Sequence, residues 1–250
     1  LLLISYTAPF YLFALGALFV IFLITKQKSP PLSKSKEDFK KISLFDNRVW
    51  PFLIVSASFG VCNAALVQTS SFYFQDVIEP NSTNFIALAS VGFMLTALGI
   101  LNGQLLIADR LQTSPGSLIR LGIFFIFFSL LGVANSTSLV HIYISLFFYG
   151  LGGGMLGPGI SASLSLSVGK ENQGSASGFL GMVIPVGHVI SPIISMPLYM
   201  TNPSYPYLLG SFLMLSCFIF VLSNQRHKWI RKKNYRKDHE TYTEEPSDLP

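Results

Sequence analysis

Charged residues are scarce in this chain, and their scarcity decides its broad class. Only 12% of the 250 residues are charged, whereas 50% are hydrophobic and the mean hydropathy is +0.52. Soluble domains carry about 25% charged residues. The only two cysteines, Cys62 and Cys217, both lie in apolar runs, so no disulfide framework is indicated. The composition predicts an integral membrane protein and excludes a disordered chain or a nucleic-acid-binding domain.

Long uncharged runs fill most of the chain. A membrane-spanning helix needs about 20 mostly apolar residues, because the hydrocarbon core of a bilayer is about 30 Å thick. The fourth run is the weakest candidate because Arg120 lies near its start, although an arginine there can extend to the interface. By this measure the sequence predicts an all-α membrane protein, a polytopic helical bundle with seven spans: 1–25, 49–75, 85–108, 118–136, 140–168, 176–200 and 207–223.

The basic residues predict the orientation of these spans. Loops on the cytoplasmic side of a membrane are enriched in Lys and Arg. With seven spans, all 17 basic residues fall on one side: in 26–48, around the loop after the third span, at Lys170 and in the tail. We therefore expect a multi-pass protein of the plasma or bacterial inner membrane, with its N-terminal end outside and its tail in the cytoplasm. Because Leu1 is already apolar and no initiator Met precedes it, we expect a fragment or a processed product.

Seven spans with this orientation also fit a G-protein-coupled receptor. Asp109 and Arg110 end the third span, where such receptors carry an acidic-Arg-aromatic triplet, but Leu111 replaces the aromatic residue. The seventh span lacks the Asn-Pro-x-x-Tyr pattern. A seven-helix receptor stays open as the alternative from a different functional class.

The end of the third span carries a motif, Gly103-Gln-Leu-Leu-Ile-Ala-Asp109-Arg110. It resembles the cytoplasmic loop motif that transporters of the major facilitator superfamily carry between the second and third helices of each half. The stretch that follows, from Gln112, departs from that motif. A degenerate copy of this kind is typical of the second half in the family.

The fifth and sixth spans carry a second resemblance. The fifth contains a glycine-rich stretch, 150–158, with Gly150, Gly154 and Pro158. The sixth contains Gly187-x-x-x-Ser191-Pro192, which is similar to the Gly-x-x-x-Gly-Pro signature of antiporters in this family. Glycines at such spacing allow close helix packing, and prolines inside a helix allow it to bend.

This resemblance implies an organisation into four parts. Residues 1–25 would be the last helix of an N-terminal half, and 26–48 a basic cytoplasmic linker between halves. Residues 49–223 would be the C-terminal six-helix half, and 224–250 a basic and then acidic cytoplasmic tail. The remaining N-terminal half would be a partner that this chain lacks.

The function implied by the resemblance is secondary active transport of a small molecule by alternating access. The resemblance favours proton-coupled efflux of drug-like compounds, with a proton-coupled symporter for a nutrient or metabolite as the alternative. The implied partners are the small-molecule substrate, protons and the lipid bilayer, with no nucleic acid. We expect no enzyme, cofactor or metal, because the sequence has no metal-ligand cluster, no catalytic constellation and no phosphate loop.

Polar residues inside the spans are the candidates for a substrate or proton pathway. Ionisable groups in the bilayer are costly and therefore functional candidates, and His188 is the only such side chain in the middle of a span. Asn63 and Gln68 in the second span and Tyr149 in the fifth are uncharged. The resemblance implies that these two spans face the central cavity. A hydrogen bond between helices is the structural alternative for each of them.

Overall fold

The computed structural model describes residues 7–26, 42–80, 82–109, 113–169 and 172–223. These residues form helices and short connections, and this part of the chain contains no β-strand. The chain divides into two units, Leu1–Phe39 and Lys40–Pro250. The first unit contains the first described helix, and the second contains the six helices that follow it.

Seven α-helices follow one another along the described residues, and a π-helical turn, Phe74–Ile78, extends the second of them. The helices are α1 (Ala8–Thr25), α2 (Trp50–Tyr73), α3 (Phe85–Asp109), α4 (Pro115–Ala134), α5 (Leu139–Ser167), α6 (Gln173–Thr201) and α7 (Tyr205–Ser223).

Six of the described helices are long and apolar enough to cross a membrane: α2 with its π-helical turn, and α3 to α7. The prediction of an all-α polytopic membrane protein is confirmed, including the fourth span, which Arg120 had made the weakest. The first predicted span is described only from Thr7, and the apolar part of α1, Phe10–Thr25, is shorter than the other six. Arg120 lies in the second turn of α4, where its Nη2 donates to Ser117 Oγ at 2.8 Å.

Proline and serine set where several helices begin. Pro51 and Pro115 occupy the first turns of α2 and α4, where a missing N–H costs nothing because that group has no partner within the helix. Ser138 caps α5 by accepting a hydrogen bond from the backbone N–H of His141 at 3.4 Å. The interior prolines Pro158 in α5 and Pro185 in α6 leave both helices continuous.

The six helices of the second unit pack in a defined pattern. α2 packs against α6 and α7, α5 packs against α3 and α4, and α4 contacts α7. Most of α2 is buried by these contacts, whereas α3 and α6 bury few of their apolar side chains. The bundle therefore has two exposed apolar helices on its surface and polar side chains between α2, α5 and α6.

Candidate functional site

The polar residues predicted in the second and fifth spans lie on α2 and α5, and an aromatic contact joins these helices. The ring of Tyr149 stacks against Phe59 of α2, with 6.3 Å between centroids and 24° between planes. Tyr149 is buried, and Asn63 and Gln68 are half-buried on α2. The structure thus places Tyr149 against the helix that carries Asn63 and Gln68.

Two of these side chains bury a polar atom that has no hydrogen-bond partner among the described residues. They are Gln68, through Oε1, and Tyr149, through Oη. Buried polar atoms in folded proteins are almost always paired with protein or with water. An unpaired carbonyl on α2 and an unpaired hydroxyl on α5 are groups that a bound water or a polar ligand can satisfy.

His188 lies elsewhere on the bundle surface. It is exposed on α6, and its Nδ1 is 3.1 Å from the carbonyl oxygen of Ile184, one turn back in the same helix. The imidazole therefore forms a hydrogen bond within its own helix. No hydrogen bond or ring contact in the described structure links it to the polar side chains of α2 and α5.

The loop motif is described only in part. Gly103 is buried in α3, and a methyl group built on it would lie 2.7 Å from the carbonyl oxygen of Leu151. This glycine therefore permits α3 to approach the backbone of α5. The side chain of Asp109 and the whole of Arg110 lie outside the described residues, as do Lys170 and the basic tail.

The glycines of the fifth and sixth spans lie where helices meet. A methyl group on Gly150 or Gly154 would overlap backbone carbonyls of α3, those of Thr96 and Ile100. On Gly187 it would lie 2.7 Å from the backbone carbonyl carbon of Gly60 in α2. These positions of α5 and α6 accept no side chain without separation of the helices.

Ser191 lies at the same contact between α6 and α2. Ser191 Oγ donates to the carbonyl oxygen of Val61 at 3.1 Å, which adds a polar bond to the packing of α6 against α2. Pro192, the next residue, is half-buried, whereas Pro158 in α5 is exposed. The motif Gly187-x-x-x-Ser191-Pro192 therefore contacts α2 directly.

A polar groove between α5 and α6 was missed by the sequence analysis. It has a volume of about 260 Å³ and includes Ser161, Ser165, Gln173 and Ser177 in its lining. Gln173 Nε2 donates to the carbonyl oxygen of Ser165 at 3.4 Å across the groove. In the sequence these serines lie within long apolar runs, where nothing marks them as a group. Only the packing of α5 against α6 brings them together.

A carboxylate at the end of α2 was also missed. The predicted span ended at Gln75, whereas the helix continues through the π-helical turn to Ile78 and includes Asp76. The hydroxyl of Tyr199 in α6 donates to Asp76 Oδ2 at 2.8 Å. Polar residues end the apolar run here, but the backbone stays helical through a turn that packs against α3 and is bonded to α6 through Tyr199.

These helices, with their glycine contacts and the polar atoms between them, define a polytopic α-helical membrane protein. The profile of the Major Facilitator Superfamily matches residues 1–192 and 82–244. The chain belongs to this superfamily of membrane transporters, as the motif in α3 had indicated. A sequence search among curated proteins finds no match.

Solved transporters have a similar fold. The POT family transporter PepTSo, in a structure determined in meso, aligns with a TM-score of 0.63 and 17% identity, over 72% of this chain and 37% of its own. A mutant of a peptide transporter POT in complex with sulfate aligns with a TM-score of 0.64 and 14% identity, over 78% of this chain and 43% of its own.

A POT family transporter in complex with 5-aminolevulinic acid gives a TM-score of 0.63 and 19% identity, over 78% of this chain and 43% of its own. This chain therefore spans less than half the length of the solved transporters that it resembles. At these identities the likeness establishes the fold.

Proposed function

We propose that this chain is the C-terminal half of a secondary active transporter that moves a small molecule across a membrane by alternating access. In this organisation, 1–25 ends the N-terminal half, 26–48 links the halves on the cytoplasmic side, 49–223 is the second half, and 224–250 is its tail. The length supports this division, since the chain covers 37% to 43% of the similar solved transporters.

The exposed helices support a missing partner half. α3 and α6 leave large apolar side chains exposed, among them Met94, Leu101, Val189 and Ile193. The glycines of α3 pack against α5, and Gly187 of α6 packs against α2. The opposite faces of α3 and α6 are therefore available to a second set of helices. In the proposed transporter, these faces meet the N-terminal half and slide or rock against it.

The unpaired polar atoms of Gln68 and Tyr149 carry the proposal. They belong to two different helices that meet through the Phe59 and Tyr149 rings, and a transported molecule with hydrogen-bonding groups would satisfy both. Asn63 on the same helix as Gln68, and His188 on α6, complete the proposed pathway. A membrane transporter needs such groups at its centre and apolar side chains around them.

Proton coupling is part of the proposal, with efflux of drug-like compounds as the first candidate for direction. The resemblance of Gly187-x-x-x-Ser191-Pro192 to the antiporter signature supports efflux, and this motif lies at the contact between α6 and α2. Symport of a nutrient or metabolite is the second candidate, favoured by the similar solved structures, one of which is named as a peptide transporter.

The distribution of basic residues supports the membrane and orientation that we propose. The chain would lie in the plasma or bacterial inner membrane, with its basic linker and tail in the cytoplasm. The end of α3 at Asp109 would then lie on the cytoplasmic side.

Transport by the gene product that contains this chain tests the proposal. The purified protein is reconstituted in proteoliposomes with an imposed pH gradient, and the movement of ethidium and of dialanine is followed with and without an uncoupler. Ethidium accumulation against its gradient supports antiport, and dialanine accumulation with the proton gradient supports symport. If neither probe moves and the protein instead binds a ligand from one side without passage, the transporter proposal is overturned in favour of a receptor.

A further inference from the structure

A groove walled by aromatic rings lies between α4 and α5. Its volume is about 380 Å³, which is within the range of small-molecule sites in proteins. Phe124 and Phe128 of α4 pack with 4.7 Å between centroids, and Phe125 stacks on Phe148 of α5, with 5.8 Å between centroids and 10° between planes. Phe124, Phe128 and Phe148 are all exposed, so the bundle leaves this groove open at its surface.

The groove lies on a different side of α5 from the proposed substrate pathway. Successive residues of an α-helix are about 100° apart, so Phe148 and Ile144, which line the groove, lie about 100° and 140° around α5 from Tyr149. Tyr149 stacks against Phe59 of α2, whereas Phe148 stacks against Phe125 of α4. The groove is therefore a second site, separate from the polar atoms of Gln68 and Tyr149.

The two serines in the groove wall already donate their hydroxyl protons to the backbone. Ser129 Oγ donates to the carbonyl oxygen of Ser145 at 2.6 Å, and Ser145 Oγ donates to the carbonyl oxygen of His141 at 2.9 Å. A hydroxyl group has one proton to donate. The groove between these serines and the phenylalanine rings therefore favours an apolar occupant over one with hydrogen-bonding groups along its length.

His141 places a polar group at one end of the groove. It is the third residue of α5, next to the connection 135–138, and it is exposed. A methyl group built on Gly132 of α4 would lie 3.8 Å from its Nε2, so the imidazole lies beside α4. Among the described residues this imidazole forms no hydrogen bond. Since a neutral imidazole carries one N–H group, His141 can donate to an acceptor on the occupant.

The order of these groups along the groove matches one leaflet of a bilayer. From His141 to Phe148 the helix rises about 10 Å, and half of a hydrocarbon core is about 15 Å thick. His141 lies at the end of its span, where headgroups begin, and Phe148 lies deeper, at the level of acyl chains. A phospholipid has the same order, with an anionic phosphate at the interface and an apolar chain below it.

We propose that this groove holds one phospholipid, with an acyl chain along the phenylalanine rings and a phosphate oxygen that accepts the N–H of His141. In the orientation proposed above, the lipid belongs to the outer leaflet. A phospholipid fits better than a soluble compound, because the groove opens within two membrane spans and has its available donor at the interface end. The site does not depend on which substrate is transported or in which direction.

The first test fills the groove with a side chain. Ile144 lines it and is 52% exposed, whereas Ile219 of α7 is 59% exposed and lies outside its lining. Ile144→Trp is compared with the matched variant Ile219→Trp by native mass spectrometry of the complete gene product, purified in detergent with phosphatidylglycerol. We expect wild type and Ile219→Trp to retain one phospholipid and Ile144→Trp to lose it. Equal retention by both variants, or no retained lipid in the wild type, would overturn the inference.

The second test concerns the headgroup and leaves the groove open. His141→Ala should raise the half-saturating concentration of phosphatidylglycerol about tenfold, since hydrogen bonds to charged groups are among the stronger ones. His141→Gln, which keeps an N–H donor, should restore most of the affinity. Diacylglycerol, which has no phosphate, should bind to wild type and His141→Ala alike. An unchanged affinity of His141→Ala for phosphatidylglycerol would contradict the phospholipid assignment.

A third measurement locates the chain and tests a different occupant. Phosphatidylglycerol with a photoreactive diazirine in one acyl chain is crosslinked to the wild-type protein in liposomes, and the labelled peptides are identified. We expect labels within 124–128 and 144–148, and no loss of label when excess ethidium is added. Labels confined to other helices would overturn the site. Displacement by ethidium would show that the groove takes an amphipathic cation in place of a lipid, and it would overturn the proposed occupant.

Discussion

Replacing Gly187 with alanine adds a methyl group where α6 packs against α2. The added carbon would lie 2.7 Å from the carbonyl carbon of Gly60 and from the nitrogen of Val61. Non-bonded carbon atoms attract best at about 3.5 to 4.0 Å, so the helices must separate locally by about 0.8 Å or more. Both atoms belong to the backbone, and no flexible side chain can move away to relieve the overlap.

The cost of this separation follows from comparable core substitutions. Overpacking by an added methyl group destabilises a protein by about 1 to 3 kcal/mol. The displaced helix would also weaken the bond from Ser191 Oγ to the carbonyl oxygen of Val61, one turn further along α6. Gly181→Ala is the matched control, because a methyl group at Gly181 in the same helix meets nothing within 4 Å.

A thermal melt of the purified protein in detergent, followed by circular dichroism, measures the effect. At about 2 to 4 °C for each kcal/mol, Gly187→Ala should lower the melting temperature by about 2 to 12 °C. Gly181→Ala should leave it unchanged or raise it, because alanine is the better helix former. Equal melting temperatures for the two variants would refute the reasoning that this glycine is required for contact between α2 and α6.

Three further predictions concern single side chains of the bundle. Tyr149→Phe should leave the melting temperature unchanged or raise it, because the removed hydroxyl has no partner among the described residues. The same variant should raise the KM for a transported probe. A lower melting temperature would show that the hydroxyl forms a structural hydrogen bond instead. Tyr207→Phe removes the 2.9 Å bond with Thr69 Oγ1 and should cost about 0.5 to 1.5 kcal/mol in the same melt, whereas no change would mean that the bond does not stabilise the fold. His188→Ala should melt like the wild type, because the hydrogen bond described for its ring stays within α6, and should raise the KM for a transported probe; an unchanged KM would remove His188 from the proposed pathway.

Much of the membrane architecture was predictable because hydropathy is a local property. A span can be recognised from the length of its own apolar run. The span that became α4 was predicted correctly in this way, although Arg120 lies near its start. The end of α2 was not predicted, since its last turns contain the polar residue Asp76 and yet remain helical, where they pack against α3 and bond to Tyr199 of α6. The polar candidates Gln68 and Tyr149 were chosen from the sequence, but their unpaired atoms became visible only in the structure.

The sequence by itself determined the class of protein, the positions of the spans and the glycines available for packing. Its basic residues also predicted an orientation. Only the tertiary structure decided which helices pair, and it joined Tyr199 to Asp76 and Gly187 to Gly60 across more than a hundred residues of chain. The physical reason is that lipid solvates every apolar helix face equally well. The hydropathy of a helix therefore does not indicate which other helix it packs against. Close backbone approach and single polar bonds select the partner, and these depend on where the helices meet.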